Sequence, residues 1–270
     1  MRSAPRFLVN TPDIELWPAG LLRARGNRDA RLLAGADWLL RRKVDGRYLA
    51  AARPDGVVPL LPHWLRGAGA EAALDALDLL HAGGTPSDAP LTLDRLHAHL
   101  DALALDAGAY AARTGLAEVP EPGRLAYAGR DRFRRPLWLL APAARAWRRL
   151  REAALRDGVV LQAISGYRSH AYQLGIVQRK RARGLSMDAI LAVNAAPGYS
   201  EHHSGRALDI GTPGEPPAEE SFEATPAFAW LQANAGRIGF RLSYPRDNPH
   251  GIVYEPWHWC WAQGGADPAK

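Results

Sequence analysis

Two groups of possible metal ligands lie far apart in the sequence. The first reads S-x-H-x-x-G-x-A-x-D and contains His202 and Asp209. The second reads Y-E-P-W-H and contains Glu255 and His258. Two imidazoles and one carboxylate, with a fourth position left open, form a typical ligand set of catalytic zinc. A further carboxylate beside such a site can take a proton from water, so the two groups together predict metal-assisted hydrolysis.

The residues around the first motif explain how its two ligands can reach one cation. The stretch from Gly205 to Ile210 alternates like a strand, which places Ala207 and Asp209 on the same face. His202 lies in the preceding turn, where its ring can fold back over the strand. The small residues between them leave room for an ion. A lone histidine is usually structural, but the pair in this setting favours two metal ligands.

The second motif needs a kink to act on the same ion. In a flat strand Glu255 and His258 would point to opposite faces. Pro256 disfavours a continuous strand, so both side chains can aim at one point. We expect His258 to be the third ligand, oriented by a hydrogen-bond acceptor. We expect Glu255 to stay unligated and to take a proton from zinc-bound water.

A guanidinium is the remaining candidate for chemistry. Arg168 follows a predicted buried strand at 159–164 and precedes a helix that Ser169 can cap. A side chain at such a position can reach a cleft. There it would stabilise a developing oxyanion or hold a substrate carboxylate.

The elements that must position these residues form an α+β fold, with a small central antiparallel sheet and flanking helices. Periodicity and capping signals predict helices at Pro142 to Gly158, Ser169 to about 184, just after Ser186, and from Thr225 to about 236. Residues 240–244 and 251–254 are predicted to form an antiparallel pair of strands.

Residues 1–117 are predicted to be a separate region of small strands and helices, and residues 118–265 to be the catalytic domain. The turns at Asp45-Gly46 and Asp55-Gly56 predict a small meander, and residues 70–82 and 91–110 are predicted to be helical. The Pro-rich stretch 118–123 marks the boundary. No chemical motif occurs in the first region, so we expect a scaffold or binding role.

Composition excludes several other classes of protein. The chain has 270 residues, a net charge of +6 and a single cysteine, Cys260, so neither a disulfide framework nor a cysteine-rich zinc site can form. No nucleic-acid module is recognisable, and no stretch approaches the roughly 18 apolar residues of a membrane span. No signal peptide is visible, which predicts a cytoplasmic protein. Export by another route would place it in the periplasm or at the cell wall. The sequence carries no signal for an oligomeric state.

Four motifs in order resemble the zinc D-alanyl-D-alanine carboxypeptidase and dipeptidase family of the vancomycin-resistance VanY type. That family shares its fold with lysostaphin-like and hedgehog-like zinc domains, the LAS superfamily. The motifs are S-G-Y-R-S at 165–169, P-G-Y-S-E-H at 197–202, G-R-A-L-D-I at 205–210 and Y-E-P-W-H at 254–258. The resemblance runs from about residue 125 to residue 262 and implies one zinc ion per chain.

The resemblance also implies a role for individual residues. The zinc ligands would be His202, Asp209 and His258, with Glu255 as the catalytic base and Arg168 as the arginine that stabilises the transition state. Substrate-site residues would be Ser200, Gln173, Tyr199 and, packed under the site, Trp257. The sequence departs from the family pattern at positions 203 and 204, where His and Ser stand in place of the common Gln and Thr.

The implied reaction is hydrolysis of the C-terminal D-alanine bond in peptidoglycan stem peptides or D-Ala-D-Ala-containing precursors. Two alternatives use the same metal centre: an L,D-carboxypeptidase acting on tetrapeptide stems, and a lysin-like cell-wall endopeptidase in which residues 1–115 bind the wall. A non-catalytic zinc- or peptidoglycan-binding module is a different class. The presence of Glu255 argues against that last alternative.

Overall fold

The computed structural model describes residues 6–262, so the last three residues of the predicted domain 118–265 lie outside the described part. Seven strands form the larger of two antiparallel sheets, in the order β5-β4-β3-β2-β1-β6-β7. They are β1 (Phe7–Asn10), β2 (Ile14–Pro18), β3 (Trp38–Arg42), β4 (Tyr48–Arg53), β5 (Gly56–Pro59), β6 (Arg124–Arg130) and β7 (Pro136–Leu139). The predicted meander is confirmed as β3, β4 and β5.

This sheet crosses the predicted domain boundary. Strand β1 pairs with β6, with Leu8 opposite Leu125, so strands from both sides of residue 117 share one hydrogen-bonded ladder. The division of the chain at 117/118 stays a prediction, but the two sides are joined by backbone pairing.

The smaller sheet has four strands in the order β10-β11-β9-β8. They are β8 (Gln162–Ser165), β9 (Ala207–Gly211), β10 (Phe240–Leu242) and β11 (His258–Trp261). Eight α-helices surround the two sheets: α1 (Asn27–Gly35), α2 (Ala70–His81), α3 (Leu96–Asp101), α4 (Ala107–Thr114), α5 (Ala141–Arg156), α6 (His170–Ala182), α7 (Met187–Leu191) and α8 (Pro226–Asn234). The predicted α+β class, with a small antiparallel sheet and flanking helices, is confirmed.

Local signals explain where these helices begin. The side chains of Ser169, Ser186 and Thr225 each accept a hydrogen bond from the backbone three residues on, which caps α6, α7 and α8 as predicted. Proline stands in the first turn of α5 and of α8, where no backbone donor is needed.

Two of the predicted elements differ from the structure. The helix expected over residues 91–110 is broken into α3 and α4, and Ala104 between them has a φ of 55° that no helix accommodates. The strand expected at 251–254 is wrong. Its backbone donors go elsewhere, because Val253 N–H donates to Ala192 O and Glu255 N–H donates to Tyr244 O. Strand β10 pairs with β11 instead.

The core of the second half lies between the smaller sheet and helices α5 and α8. Trp147 of α5 and Phe228 of α8 pack with Leu208, Ile210 and Trp259 on one face of the sheet. All five are buried, which stabilises the sheet by roughly 1.5–3 kcal/mol per large side chain. Within residues 6–262, no helix has both the length and the apolar character needed to cross a bilayer.

Candidate metal centre and active site

The packing of the core decides which side chains of β9 and β11 face the opposite way. Leu208 and Trp259 are paired across the two strands and point into the core. Because side chains alternate along a strand, their neighbours Asp209 and His258 lie on the other face. The register pairs these two residues directly, so a carboxylate and an imidazole stand side by side.

His202 reaches the same point from a short 3-10 helix, Glu201–Ser204, that leads into β9. The helix ends at Gly205, whose φ of 67° lies in the left-handed region. A Cβ at this position would lie 2.5 Å from the Leu125 side chain and 2.9 Å from the Leu140 nitrogen. The glycine is therefore needed both for the turn and for the close approach of the chain that directs His202 inward.

The three predicted metal ligands converge. Asp209 Oδ1 lies 3.3 Å from His202 Nε2 and 3.3 Å from His258 Nδ1. One ligand atom from each residue lies within 4.8 Å of the other two, and all three residues are buried. We call His202, Asp209 and His258 the ligand cluster. A tetrahedral zinc site with bonds of about 2.0–2.2 Å places its ligand atoms roughly 3.3–3.6 Å apart, which fits the two short separations.

The hydrogen bonds of the two rings show which nitrogen is free. His202 Nδ1 lies 2.7 Å from Gly166 O, so this nitrogen carries the proton and donates. Its Nε2 is buried and has no hydrogen-bond partner among the residues that the structure describes. His258 Nε2 lies 2.9 Å from Glu201 Oε2, which leaves Nδ1 towards Asp209. Two lone pairs then face a carboxylate oxygen, an arrangement that a divalent cation satisfies.

Burial and neighbouring charges shift the pKa of each residue in the ligand cluster. Burial opposes ionisation of Asp209, yet the neighbouring His202 and Arg168 hold its pKa well below the usual value. Burial would lower the pKa of His258, but hydrogen bonds to Asp209 and Glu201 raise it to about 10. Burial and the nearby Arg168 lower the pKa of His202 to about 4.

Glu255 lies beside the cluster without belonging to it. It sits in the turn before β11, where its carbonyl accepts the N–H of His258. Its Oε2 is 3.7 Å from His258 Nδ1. Burial and the charge of Asp209 raise the pKa of Glu255 to about 7, although His258 opposes the shift. The structure thus places a buried, unligated carboxylate where the sequence predicts the catalytic base.

Arg168 reaches the cluster from the loop between β8 and α6. Its Nη2 lies 3.5 Å from Asp209 Oδ2, and its Nε is buried without a hydrogen-bond partner. The backbone of this residue is held on both sides. Its N–H donates to His202 O at 3.3 Å, and its carbonyl accepts from His203 Nδ1 at 2.6 Å. The guanidinium therefore has free donors at the site.

The predicted substrate-site residues are placed differently. Gln173 is buried and donates to Ala195 O, and Tyr199 is buried and donates to Ala107 O. Both side chains use these bonds to hold loops together. Ser200 is buried just before the 3-10 helix, and Trp257 is half-buried against the core. Contact of these four residues with a substrate stays a prediction.

Sequence reasoning missed Glu201. Its carboxylate accepts hydrogen bonds from His258 Nε2 at 2.9 Å and from Arg241 Nη2 at 3.1 Å. Burial opposes its ionisation, but these contacts lower its pKa to about 2. Its role is to fix the ring of His258 with Nδ1 towards the cluster. An acidic residue next to His202 in the first motif was the available signal.

The smaller antiparallel sheet presents two histidines and an aspartate at one point, with a free glutamate and an arginine beside them, and this set of side chains suits metal-assisted hydrolysis. Comparison with known proteins agrees. Residues 137–264 match the family described as VanY: D-alanyl-D-alanine carboxypeptidase. This segment of the chain, slightly less than half of its length, is similar to that family.

Three relatives illustrate the extent of the similarity. The putative carboxypeptidase YodJ of Bacillus subtilis (strain 168) is 38% identical over 120 residues, which cover 43% of each chain. A D-alanyl-D-alanine carboxypeptidase of Enterococcus faecium is 40% identical over 96 residues, 35% of this chain and 27% of that protein. The crystal structure of a vancomycin-resistance D,D-pentapeptidase VanY with Zn(II) is 30% identical, with 47% of this chain and 74% of that chain covered and a TM-score of 0.40. The chain spans less than half the length of the two curated relatives.

Proposed function

We propose that the protein is a zinc-dependent D-alanyl-D-alanine carboxypeptidase that releases the C-terminal D-alanine of peptidoglycan stem peptides or their precursors. The observation that carries the proposal is the ligand cluster, in which His202 Nε2, His258 Nδ1 and the Asp209 carboxylate lie within 4.8 Å of one another. The match of residues 137–264 to the VanY family supports the substrate class. A related structure described as VanYB in complex with D-alanine-D-alanine binds that dipeptide unit.

His202, Asp209 and His258 are the residues that would hold the metal. When bound, zinc supplies a Lewis acid that polarises the scissile carbonyl and lowers the pKa of water. Glu201 keeps the His258 ring in the orientation that this requires, through the hydrogen bond to Nε2.

Glu255 acts as the general base. Its carboxylate is close to the cluster yet outside it, 3.7 Å from His258 Nδ1. It accepts a proton from the attacking water and then donates it to the nitrogen of the leaving D-alanine. Because the two proton transfers use the same carboxylate, the residue returns to its starting state and no covalent enzyme intermediate forms.

Arg168 stabilises negative charge on the substrate. Its buried Nε has no partner among residues 6–262, and its Nη2 reaches only the edge of Asp209. Donors that are desolvated before the reaction are suited to an oxyanion that develops during it. The positive charge of Arg168 also favours a substrate that ends in a carboxylate, as stem peptides do.

The test is product analysis by mass spectrometry with the full-length protein. Pentapeptide stems, tetrapeptide stems and cross-linked muropeptides are supplied separately, in the presence of zinc or of a chelator. We expect release of one D-alanine from the pentapeptide, and none after chelation. Release from the tetrapeptide alone would identify an L,D-carboxypeptidase, and cleavage of cross-links an endopeptidase. No product from any substrate would refute the proposal.

The cellular location stays a prediction. A stem-peptide substrate is available as a precursor in the cytoplasm and as polymer outside it. Fractionation of cells and detection of the native protein would decide between the predicted cytoplasmic location and export by another route.

A further inference from the structure

A second buried polar cluster lies outside the ligand cluster, around Glu121. This residue belongs to the stretch between α4 and β6 and is buried. Its Oε2 accepts from Lys43 Nζ at 2.6 Å, Tyr167 Oη at 2.5 Å and Asn10 Nδ2 at 3.1 Å. Its Oε1 accepts the N–H of His170 at 2.7 Å. We call Glu121, Lys43, Asn10 and Tyr167 the Glu121 cluster.

The donors to Glu121 come from two parts of the molecule. Asn10 ends β1 and Lys43 follows β3, so both belong to the seven-stranded sheet. Tyr167 and the His170 N–H belong to the loop that carries Arg168, one residue before it and two residues after it. The Glu121 carboxylate therefore accepts hydrogen bonds from residues on both sides of Arg168 and from residues held by the seven-stranded sheet.

A parallel set of contacts holds the same loop. The His170 ring bonds through Nε2 to Val119 O at 2.8 Å, two residues before Glu121. It also packs edge-to-face on His203, with ring centroids 4.4 Å apart. His203 in turn donates to the Arg168 carbonyl at 2.6 Å. Val119 and Glu121 thus hold the Arg168 loop through both the backbone and the ring of His170.

We propose that Glu121 is a positioning residue for Arg168. The seven-stranded sheet serves the reaction by holding Glu121 in place through Lys43 and Asn10. The inference rests on the proposed function, because it gives the held arginine its task. It gives a specific task to the first region of the chain, for which the sequence predicts only a scaffold or binding role.

The charge of Lys43 is part of this arrangement. Burial alone would raise the pKa of Glu121, but the ammonium of Lys43 and the neighbouring His170 hold it well below the usual range. An ionised carboxylate makes stronger hydrogen bonds than a neutral one to Tyr167 Oη and the His170 N–H. Loss of the charge therefore loosens the loop even where the chain stays folded.

The expected effect of Glu121→Gln is a fall in kcat of about 10- to 100-fold, because a displacement of about 1 Å at a catalytic group can slow a reaction roughly 100-fold. The matched control is Glu15→Gln. Glu15 is equally buried in the same sheet and pairs with Arg41 and Trp17, but it makes no hydrogen bond to the Arg168 loop in the described structure. We expect its kcat to stay within about twofold of wild type.

A double-mutant cycle separates positioning from general damage. Glu121→Gln is measured in the wild-type background and in an Arg168→Ala background, with zinc content and folded fraction determined for each protein. If Glu121 acts through Arg168, its substitution lowers kcat 10- to 100-fold in the first background and less than threefold in the second. Equal losses in both backgrounds would overturn the proposal. Tyr167→Phe, which removes a single hydroxyl, replaces Glu121→Gln in the cycle if that variant does not fold.

A second measurement does not depend on activity. Hydrogen–deuterium exchange is followed for the peptide that covers residues 164–172 in zinc-loaded full-length proteins. We expect faster exchange of this peptide in Glu121→Gln than in Glu15→Gln or wild type. Unchanged protection would overturn the positioning role. A different outcome separates the two proposals. If exchange is faster in Glu121→Gln but the wild-type protein releases no D-alanine from any stem peptide, Glu121 still positions Arg168 and only the proposed function is refuted.

Discussion

The ligand cluster and the Glu121 cluster are both buried and both centred on a carboxylate, yet their hydrogen bonding is opposite. Every strong acceptor of Glu121 is matched by a donor, from Lys43, Asn10, Tyr167 and the His170 backbone. Around Asp209 the nearest atoms are His202 Nε2 and His258 Nδ1, each 3.3 Å from Oδ1, and His202 Nε2 has no hydrogen-bond partner within residues 6–262. Buried polar groups are normally satisfied. Buried nitrogen and oxygen ligand atoms that converge without enough donors therefore indicate a binding site, whereas the Glu121 carboxylate, with donors to both of its oxygens, has a structural role.

The largest expected effect tests the carboxylate that the ligand cluster leaves unused. Glu255→Gln should lower kcat for D-alanine release by about 10²–10⁴-fold, because the amide cannot accept the proton of water. The zinc content should stay at one ion per chain, since Glu255 is not a ligand. Steady-state kinetics and metal analysis of the same preparation measure both. Glu15→Gln is the control, and an active Glu255→Gln protein would contradict the assigned base.

The next effect tests the positive charge that Lys43 places beside the buried Glu121 carboxylate. Lys43→Met should lower the free energy of unfolding by about 3–5 kcal/mol, because it leaves a buried carboxylate without its counter-ion. The exposed pair formed by Arg124 and Asp88 is the control, and Arg124→Met should change stability by about 0–1 kcal/mol. Urea unfolding of zinc-saturated protein measures both.

A double variant sharpens this comparison. Glu121→Gln combined with Lys43→Met removes both charges, so it should be less destabilising than Lys43→Met alone. If the double variant is less stable than Lys43→Met, the Glu121 cluster is not stabilised by the opposite charges of Glu121 and Lys43. The contrast drawn with the ligand cluster would then be wrong.

A smaller effect concerns the residue that connects the ligand cluster to its surroundings. Glu201→Gln should weaken zinc binding by about 10- to 100-fold, because the neutral amide holds the His258 ring less firmly and makes it less basic. Arg241→Ala is the matched control, since Arg241 contacts the same carboxylate from an exposed position. Chelator competition should show less than a tenfold change for that variant. Equal affinities of Glu201→Gln and wild type would show that His258 needs no such support.

The difference between the two clusters also explains what the sequence could predict. The ligand cluster arises from two short motifs, and the pairing of Asp209 with His258 follows from alternation within β9 and β11. His202 and Glu255 stand within seven residues of these ligands, so local spacing was sufficient. Caps at Ser169 and Thr225 predicted helix starts for the same reason.

The Glu121 cluster was out of reach of such reasoning. Its members are 33 to 157 residues apart, and Glu121 itself lies in a Pro-Gly stretch typical of a linker. The pairing of β1 with β6 that brings them together depends on the whole sheet, not on a local pattern. The strand expected at 251–254 was wrong for a related reason, because Val253 N–H donates to Ala192 O, next to α7, and not to the expected partner strand.

The smallest effect is the dependence of the unfolding free energy on pH through the titration of Glu121. The pKa of Glu121 is held well below its usual value in the folded protein, so the unfolded chain binds the proton more readily. The stabilisation that follows is fully present above the ordinary glutamate pKa of about 4.3 and is lost as the pH falls through the folded pKa. One such proton contributes at most about 1.4 kcal/mol per pH unit to the slope of unfolding free energy against pH.

Glu121→Gln removes this titration, so its unfolding free energy should fall less steeply below about pH 4 than that of wild type. Asp88→Asn is the comparison, because the pKa of Asp88 is also lowered by Arg124 but its side chain is exposed. Its slope should stay close to wild type, since solvent screens the pair. Urea unfolding of the full-length protein at pH 3 to 6 measures all three slopes. Parallel curves for Glu121→Gln and wild type would show that the proton is not taken up at Glu121. The assumption that an ionised Glu121 positions Arg168 would then have to be abandoned.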